Sequence, residues 1–352
     1  TLELTGAASA RNWTLGTSGG TISTEGEVTQ SGLLVGSGDF TKDGSGKLTV
    51  TVPINHGGAT TVAAGVLALT AYATLPVATD LTVSRSATFD ISGLASSTAG
   101  LTVKTLHGED GSAIVLGEKN LTVSGIIDFT GTLTSTGGLL SGAEGSTIKL
   151  TGASTLSAID VTATSTLIVN NTLAGVEGEN DGRITIHVLN EGLLGGGGLI
   201  TGNITVYDGG KLSPGNSPGA LVVDGDVELK PGATLFVEIT SGNGSDSVTV
   251  ADTESVFLFN DASIVSVDLR GMFEPSFDWT IVTGAVAFGS GGLEAVSLPE
   301  VPGWVLTLEA GEGSKNLTLH GTQVPEPGTY GLLVGIGAVG LALIRRRKNK
   351  KK

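Results

Sequence analysis

The chain has 352 residues, of which 56 are glycine and only 4% are aromatic, so its interior has to be built from thin layers of small aliphatic side chains. The net charge is −15, and without the seven basic residues of the last eight positions 12 basic side chains face 34 acidic ones, which excludes nucleic-acid binding. The absence of cysteine excludes disulfides, thiol nucleophiles and thiolate metal sites.

The amino-terminal residues lack the pattern of a signal peptide. Residues 1–4, Thr-Leu-Glu-Leu, have neither a basic start nor an apolar core. We expect that a leader has already been removed from this numbering. Trp13 follows in one of several short strands, where its ring can cover the first layer of a stacked fold.

A short apolar–polar–apolar pattern recurs along the first half of the chain. Leu-Thr-Val begins at Leu48 and then, evenly spaced, at Leu81, Leu101 and Leu121. Alternation with period two is typical of a strand with one buried face, and a repeat at this spacing is typical of a stacked solenoid. The pattern predicts that the last three leucines stack above one another in the interior.

Two stretches resemble repeats of bacterial surface proteins. Residues 42–50 read Lys-Asp-Gly-Ser-Gly-Lys-Leu-Thr-Val and residues 57–62 read Gly-Gly-Ala-Thr-Thr-Val, which is similar to the autotransporter-associated β-strand repeat. The usual Thr-Tyr of that repeat is replaced by Asn-His at 55–56. Residues 213–219, Ser-Pro-Gly-Asn-Ser-Pro-Gly, resemble a coil of autotransporter-like passengers, and their two Pro-Gly corners can turn the chain between parallel strands. The resemblance implies a parallel β-helix.

The predicted fold class is therefore all-β. We expect a right-handed parallel β-helix, or solenoid, over residues 1–245. Longer apolar runs and most of the large side chains follow, which predicts a β-rich C-terminal cap over residues 246–321. Residues 322–352 form a third segment, with one C-terminal transmembrane helix. Hairpins are the competing architecture, but the Asn-Gly dipeptide that favours them occurs only at 243–244.

The third segment has three parts. It contains a proline-rich box, an uncharged apolar run at 328–344 and a basic tail at 345–352. The box is Val324, Pro325, Glu326 and Pro327, and the tail begins with Arg345, Arg346 and Arg347. Seventeen apolar residues span about 25 Å as a helix, which predicts a transmembrane helix at the short end of the usual range. The basic tail would stop transfer and stay cytoplasmic.

This order of box, apolar run and arginines resembles the PEP-CTERM sorting signal. The resemblance implies that an exosortase, a membrane-embedded cysteine protease, cuts near the box and passes the protein to the cell surface or the extracellular space. Pro325, Glu326 and Pro327 match the box of that signal. The two prolines lack backbone N–H donors and fix φ, which favours an extended, protease-accessible segment. A permanent membrane anchor with a plain linker is the alternative.

The serines in Gly-x-Ser-x-Gly motifs are poor candidates for a nucleophile. Ser217 is followed by Pro218, which lacks the N–H that an oxyanion hole needs, and no helix pattern follows Ser18. The four histidines have no ligand spacing, and the acidic turn from Glu177 to Asp181 fits no EF-hand loop. We expect neither an enzyme nor a bound metal or cofactor.

Two functional alternatives stay open. Asp90 and Asp110 occupy equivalent positions in the frame of the Leu-Thr-Val repeat, so they could stack as carboxylates of a polysaccharide lyase or hydrolase. Threonine pairs at 49 and 51 and at 162 and 164 could order water on an ice-binding face. The favoured hypothesis is an exported, non-catalytic structural or adhesive protein of the cell envelope or extracellular matrix, with weak contacts to polysaccharide.

Overall fold

The computed structural model describes residues 1–324 apart from 5–7, 97–99, 179, 217, 241–243 and 272–274. Regular structure in this part consists of short β-strands and two 3-10 turns at Asn180–Gly182 and Leu293–Ala295. The first strands are β1 (Leu2–Leu4), β2 (Ala8–Ser9), β3 (Trp13–Leu15), β4 (Gly20–Thr24), β5 (Glu27–Gln30), β6 (Leu34–Gly36), β7 (Phe40–Asp43), β8 (Lys47–Val50), β9 (Ile54–His56), β10 (Thr60–Val62) and β11 (Val66–Ala71).

The middle strands are β12 (Asp80–Val83), β13 (Thr88–Leu94), β14 (Gly100–Val103), β15 (Thr105–Gly108), β16 (Ala113–Gly117), β17 (Asn120–Val123), β18 (Ile126–Phe129), β19 (Thr132–Ser135), β20 (Leu139–Gly142), β21 (Thr147–Leu150), β22 (Ser154–Thr155), β23 (Ala158–Val161), β24 (Thr166–Val169), β25 (Thr172–Ala174), β26 (Ile184–Val188), β27 (Leu193–Gly196) and β28 (Leu199–Val206). The last are β29 (Lys211–Pro214), β30 (Ala220–Asp224), β31 (Val227–Leu229), β32 (Thr234–Thr240), β33 (Gly244–Ser245), β34 (Ser247–Val250), β35 (Phe257–Phe259), β36 (Ile264–Arg270), β37 (Ser276–Phe288), β38 (Trp304–Ala310) and β39 (Lys315–Gln323).

Successive strands lie on three faces, and each strand pairs in parallel with the strand one coil away. Face 1 contains β1, β4, β7, β10, β12, β15, β18, β21, β24, β27, β29, β32 and β36. Face 2 contains β2, β5, β8, β11, β13, β16, β19, β22, β25, β28, β30, β34 and β37. Face 3 contains β14, β17, β20, β23, β26, β31, β35 and the second halves of β28 and β37, with β3, β6 and β9 in the same place in the first coils. The prediction of an all-β parallel solenoid is confirmed.

Inward aliphatic side chains form continuous rows because neighbouring strands are in register. The face 1 row contains Leu81, Leu106, Ile127, Ile148, Leu167, Leu194, Leu212, Leu235 and Val265, all at most 2% exposed. Burying each such side chain stabilises the fold by roughly 1.5–3 kcal/mol relative to exposure. These rows are the interior of the body.

The predicted stacking of three leucines holds for one pair. Leu101 is in register with Leu121 on face 3, but Leu81 lies on face 1 and is in register with Leu106. The physical reason is that coils differ in length. On face 1, the chain from Leu194 to its partner Leu212 is much shorter than the chain from Leu235 to its partner Val265. Residues that are evenly spaced along the sequence therefore do not all lie on the same face of the solenoid.

The transmembrane helix in the predicted fold class is the part that needs correction. In the described chain, no helix is long and apolar enough to cross a bilayer, and the fold there is all-β. Residues 328–344 lie outside the described residues. The sequence argument was also weak in physical terms, because five of these seventeen residues are glycine, a poor helix former, and about 25 Å falls short of a bilayer core of ~30 Å.

A buried lysine interrupts a second inward row of face 1, which also contains Ile22, Val62 and Val83. Lys42 is in register with Val62 and Ile22 and is fully buried. Its ammonium donates hydrogen bonds to the carbonyl oxygens of Asp43 at 2.7 Å, Gly44 at 2.9 Å and Ala64 at 3.0 Å. Burial lowers the pKa of Lys42. The lysine thus joins the corners of two adjacent coils from inside.

Parallel pairing continues beyond residue 246 and then gives way to an antiparallel sheet. β34, β35 and β36 still pair in parallel with β30, β31 and β32. The chain then forms an antiparallel sheet in the order β37, β39, β38, in which β39 is central. We refer to this three-stranded sheet as the cap sheet. The domain division at 245/246 stays a prediction.

The cap sheet packs large aromatic side chains against each other. The ring of Phe277 crosses over Gly321 of β39 and lies 5.3 Å from the ring of Trp304. Leu317 and Leu319 of the central strand are fully buried. Aromatic and leucine side chains on one side of the cap sheet therefore cover the end of the solenoid core.

Candidate functional site

The outward side chains of face 3 change from hydroxyl groups to mostly charged and aromatic groups near the middle of the solenoid. In the earlier coils the outward row is Thr102, Thr122 and Ser141. From β23 to β35 it continues as Asp160, His187, Thr205, Glu228 and Leu258. The residues that directly follow four of these strands are Leu189, Tyr207, Lys230 and Asn260, and their backbone N–H groups donate hydrogen bonds to the neighbouring coil. We call the residues Asp160, His187, Tyr207, Glu228, Lys230 and Asn260 the face 3 patch.

An imidazole–carboxylate pair forms one end of the face 3 patch. His187 Nδ1 lies 3.0 Å from Asp160 Oδ1 on the preceding coil. The ring of Tyr207, one coil further on, meets the His187 ring edge to face at a centroid distance of 5.8 Å. Tyr207 is 38% exposed. The pair orients the imidazole and leaves part of the phenol ring open to a ligand.

A lysine–carboxylate–amide group forms the other end. Lys230 Nζ donates a hydrogen bond of 2.6 Å to Glu228 Oε1, and Asn260 Nδ2 donates one of 2.9 Å to the same oxygen. The hydrogen bond from Lys230 lowers the pKa of Glu228, and the one from Asn260 acts in the same direction. The carboxylate is therefore ionised at neutral pH and neutralises the lysine.

This combination of groups suits a sugar rather than a charged ligand. A partly exposed aromatic ring gives apolar contact to a pyranose face, and the flanking amide, imidazole and carboxylates can accept or donate hydrogen bonds to hydroxyls. Both cationic candidates already have a carboxylate within 3.0 Å. Coils are about 4.8 Å apart, so the five coils of the patch offer a strip of roughly 19 Å along the axis.

Sequence reasoning missed this patch. Asp160 is in register with His187 and Thr205 with Glu228, although the two pairs have different separations along the chain. Unequal coil lengths hide that relationship from any fixed repeat. The rarity of tyrosine, with three in the chain, was the available signal.

Asp90 and Asp110, the two carboxylates of the enzymatic alternative, do not meet. Asp90 is in register with Val115 on face 2 and accepts hydrogen bonds from the backbone N–H and hydroxyl of Ser92. Asp110 lies in an exposed corner, where its carboxylate is 3.5 Å from Arg85. The pair therefore offers no shared catalytic geometry.

The threonine pairs do not form matching rows either. Thr49 lies outward on face 2 between Thr29 and Ala68, while the hydroxyl of Thr162 is bonded to the Gly142 carbonyl. The longer threonine row of the structure is on face 1 and contains Thr21, Thr41, Thr61 and Thr82. This row joins threonines that are about 20 residues apart, so a search for closely spaced threonine pairs does not find it.

The remaining polar candidates are dispersed. Ser18 lies in a turn closed by the Gly16–Gly19 bridge, and Ser217 lies outside the described residues. His56 is buried with its Nε2 2.9 Å from Thr60 Oγ1, and His320 lies between Asp278 and Glu309 on the cap sheet. In the described parts of the chain, no group of three or more His, Cys, Asp or Glu is arranged to hold a metal ion.

The described chain ends beside a groove of about 1030 Å³ at the cap sheet. The groove is lined by Leu298, Pro299, Glu300, Val301, Pro302, Gly303, Trp304, Val305, Leu306 and Val324. Val324 is the one residue of the predicted sorting box that the structure describes. Pro325, Glu326, Pro327, Arg345, Arg346 and Arg347 lie outside the described residues.

Comparison with known families identifies the carboxyl-terminal segment. No curated protein matches the chain. The family model described as the PEP-CTERM protein-sorting motif matches residues 323–348. That match does not include residues 42–62, so the likeness to the autotransporter-associated repeat stays a resemblance. The chain carries a PEP-CTERM sorting motif, which implies an exported protein that is processed by exosortase, a membrane enzyme.

Proposed function

We propose that the protein is a non-catalytic surface or extracellular-matrix solenoid, released to its site of action by cleavage near the sorting box. The observation that carries this proposal is the position of the motif. It begins at residue 323, which is the last residue of β39. Cleavage within the box would therefore keep the whole solenoid and its cap sheet intact.

The body is suited to a structural role. Face 1 stacks 13 parallel strands in the described chain, and the fourteenth strand of its sheet, β33, pairs antiparallel with the end of β32. At about 4.8 Å per strand the 13 strands give a rod on the order of 60 Å long. Outward rows of threonine and an excess of acidic residues keep its surface hydrated and repel anionic partners. A stiff rod with repeated polar rows offers many weak contacts rather than one tight site.

Deletion of residues 325–327 tests the proposal. In cells that carry the sorting enzyme, the unaltered protein should reach the surface fraction with a new carboxyl terminus near the box, as measured by mass spectrometry. The deletion variant should stay uncleaved, because the prolines and glutamate that match the motif are gone. Recovery of the unaltered protein in the surface fraction still uncleaved and ending at Lys352 would contradict the proposal.

A second proposal is that the face 3 patch contacts a neutral polysaccharide. The supporting observation is the half-exposed Tyr207 ring between the His187–Asp160 and Lys230–Glu228 pairs. Polyanionic sugars are disfavoured because the chain without its basic tail has 12 basic against 34 acidic residues. The patch is proposed to bind and not to cleave the glycan.

Tyr207→Ala tests the patch, and Tyr72→Ala is the matched control. Tyr72 is 67% exposed but lies outside the patch. Binding to neutral glucans, measured by affinity electrophoresis, should weaken roughly tenfold in Tyr207→Ala, which corresponds to about 1.4 kcal/mol. Equal retardation of both variants would remove the patch as the contact site.

A further inference from the structure

The sorting motif follows the folded body without a spacer. Gln323 is both the last residue of β39 and the first of the motif, and its N–H donates to the Pro275 carbonyl at 2.8 Å. The N–H of Val324 donates to the Gly303 carbonyl at 2.8 Å. The backbone is thus hydrogen-bonded to the body up to the first residue of the box.

This arrangement limits how far the cleavage site can lie from the body. An extended chain spans at most about 3.3–3.6 Å per residue, so three residues beyond Val324 reach roughly 10 Å. An enzyme active site is recessed within a much larger protein. A protease that cuts near the box must therefore touch the end of the cap sheet.

The surface at that end carries little charge and exposes two valine side chains. The groove beside Val324 is lined by ten residues, of which Glu300 is the one charged residue. Val305 is 55% exposed and Val324 is 46% exposed, two of the most exposed large apolar side chains in the described chain. Leu298 and Pro302 line the same groove. Exposed apolar side chains beside the motif, in a groove with one charged residue, give a partner protein apolar contact.

We infer that this groove is a docking surface for the membrane protease that processes the sorting motif. The partner surface would be apolar, as befits an enzyme embedded in a membrane, and the low charge of the groove reduces repulsion near anionic lipid. The inference rests on the proposed processing of the motif. It adds that the enzyme recognises the folded cap sheet together with the box.

Val305→Asp is the direct test, with Val77→Asp as the matched control. Val77 is 67% exposed and lies in the solenoid body, away from the groove. Val305→Asp should slow cleavage roughly tenfold in cells, because losing the burial of one valine side chain costs about that factor in an association constant. Val77→Asp should be cleaved at the unaltered rate. Mass spectrometry of pulse-labelled protein measures both rates.

A spacer and a milder variant make the test decisive. A flexible Gly-Ser spacer inserted between Gln323 and Val324 leaves the four-residue box intact; it should slow cleavage as well, and Val305→Asp should then add no further effect. If Val305→Asp lowers the urea midpoint of the folded protein, Val305→Thr replaces it, because threonine keeps the strand propensity and shape at this position.

The possible outcomes distinguish failure of the docking inference from failure of the proposed processing. If deletion of 325–327 blocks cleavage while the Val305 variants and the spacer are processed normally, docking is overturned and the proposed function stands. If the deletion has no effect on cleavage, the proposed processing fails, and the docking inference fails with it.

Discussion

The solenoid body and the cap sheet solve the problem of burying apolar surface in different ways. In the body, each inward side chain packs against its counterparts one coil before and after, as in the face 1 row from Leu81 to Val265. In the cap sheet, Phe277 and Trp304 pack across antiparallel strands. The body repeats the same stacking contact in every coil, whereas each packing contact of the cap sheet occurs once.

This difference determines how far the effect of a destabilising substitution extends along the chain. In a stacked array each unit contacts its neighbours, so its stability is close to a sum of nearest-neighbour terms. The cap sheet instead covers the last layer of the core, where β37 lies against the buried Phe257 and Phe259. Damage in the body should therefore spread to adjacent coils, whereas damage in the cap sheet should expose the end of the core.

The largest expected effect comes from truncating matched leucines. Leu319→Ala in the cap sheet and Leu121→Ala in the body each remove a fully buried side chain. Each should cost about 2–5 kcal/mol of unfolding free energy. Hydrogen exchange should rise across residues 257–323 in the first variant and only in the coils beside β17 in the second. Uniform loss of protection along the whole chain in both variants would show that body and cap sheet unfold as one unit.

A smaller effect is expected from the buried lysine of the body. Lys42→Met keeps the side-chain length but leaves the carbonyls of Asp43, Gly44 and Ala64 without their donor. The variant should lose about 1–3 kcal/mol, since unsatisfied buried acceptors are costly. Lys47→Met, at an outward position of the next strand, is the control. Urea unfolding measures both, and an unchanged or raised midpoint for Lys42→Met would mean that removing the buried charge outweighs the lost hydrogen bonds.

The smallest effect is a pH dependence in the same coils. Burial lowers the pKa of His56 from its ordinary 6.5, so the folded protein binds this proton less readily than the unfolded chain does. Stability should therefore fall as pH drops from 6.5 towards the folded-state pKa. His56→Gln should flatten this part of the curve of urea midpoint against pH. A slope that persists in the variant would assign it to other groups.

The sequence was sufficient for the strand type but not for the register. Alternating Leu, Thr and Val predicts short half-buried strands, and Leu101 does stack on Leu121. The position of Leu81 could not be derived, because the chain between it and its partner Leu106 is longer than the chain between Leu101 and Leu121. Nothing local in the chain marks which corner absorbs the extra residues.

The candidate sites show the same limit. The carboxyl-terminal motif is a contiguous string of residues, so sequence reasoning found it, and the match at 323–348 agrees. The face 3 patch depends on the register of strands that are far apart and unevenly spaced in sequence, which only the folded chain displays. The groove at the cap sheet combines residues 298–306 with Val324, and it forms because β39 returns between β37 and β38.

The central position of β39 has a mechanical consequence. A tug on the chain beyond Gln323 acts along this strand, which is flanked by antiparallel neighbours on both sides. The force is then shared by the hydrogen bonds on both sides of β39, which must break together. At an edge strand, the hydrogen bonds of a single pairing could break one after another. A pull on the carboxyl-terminal end of the described chain would therefore meet more resistance at β39 than at an edge strand of the cap sheet.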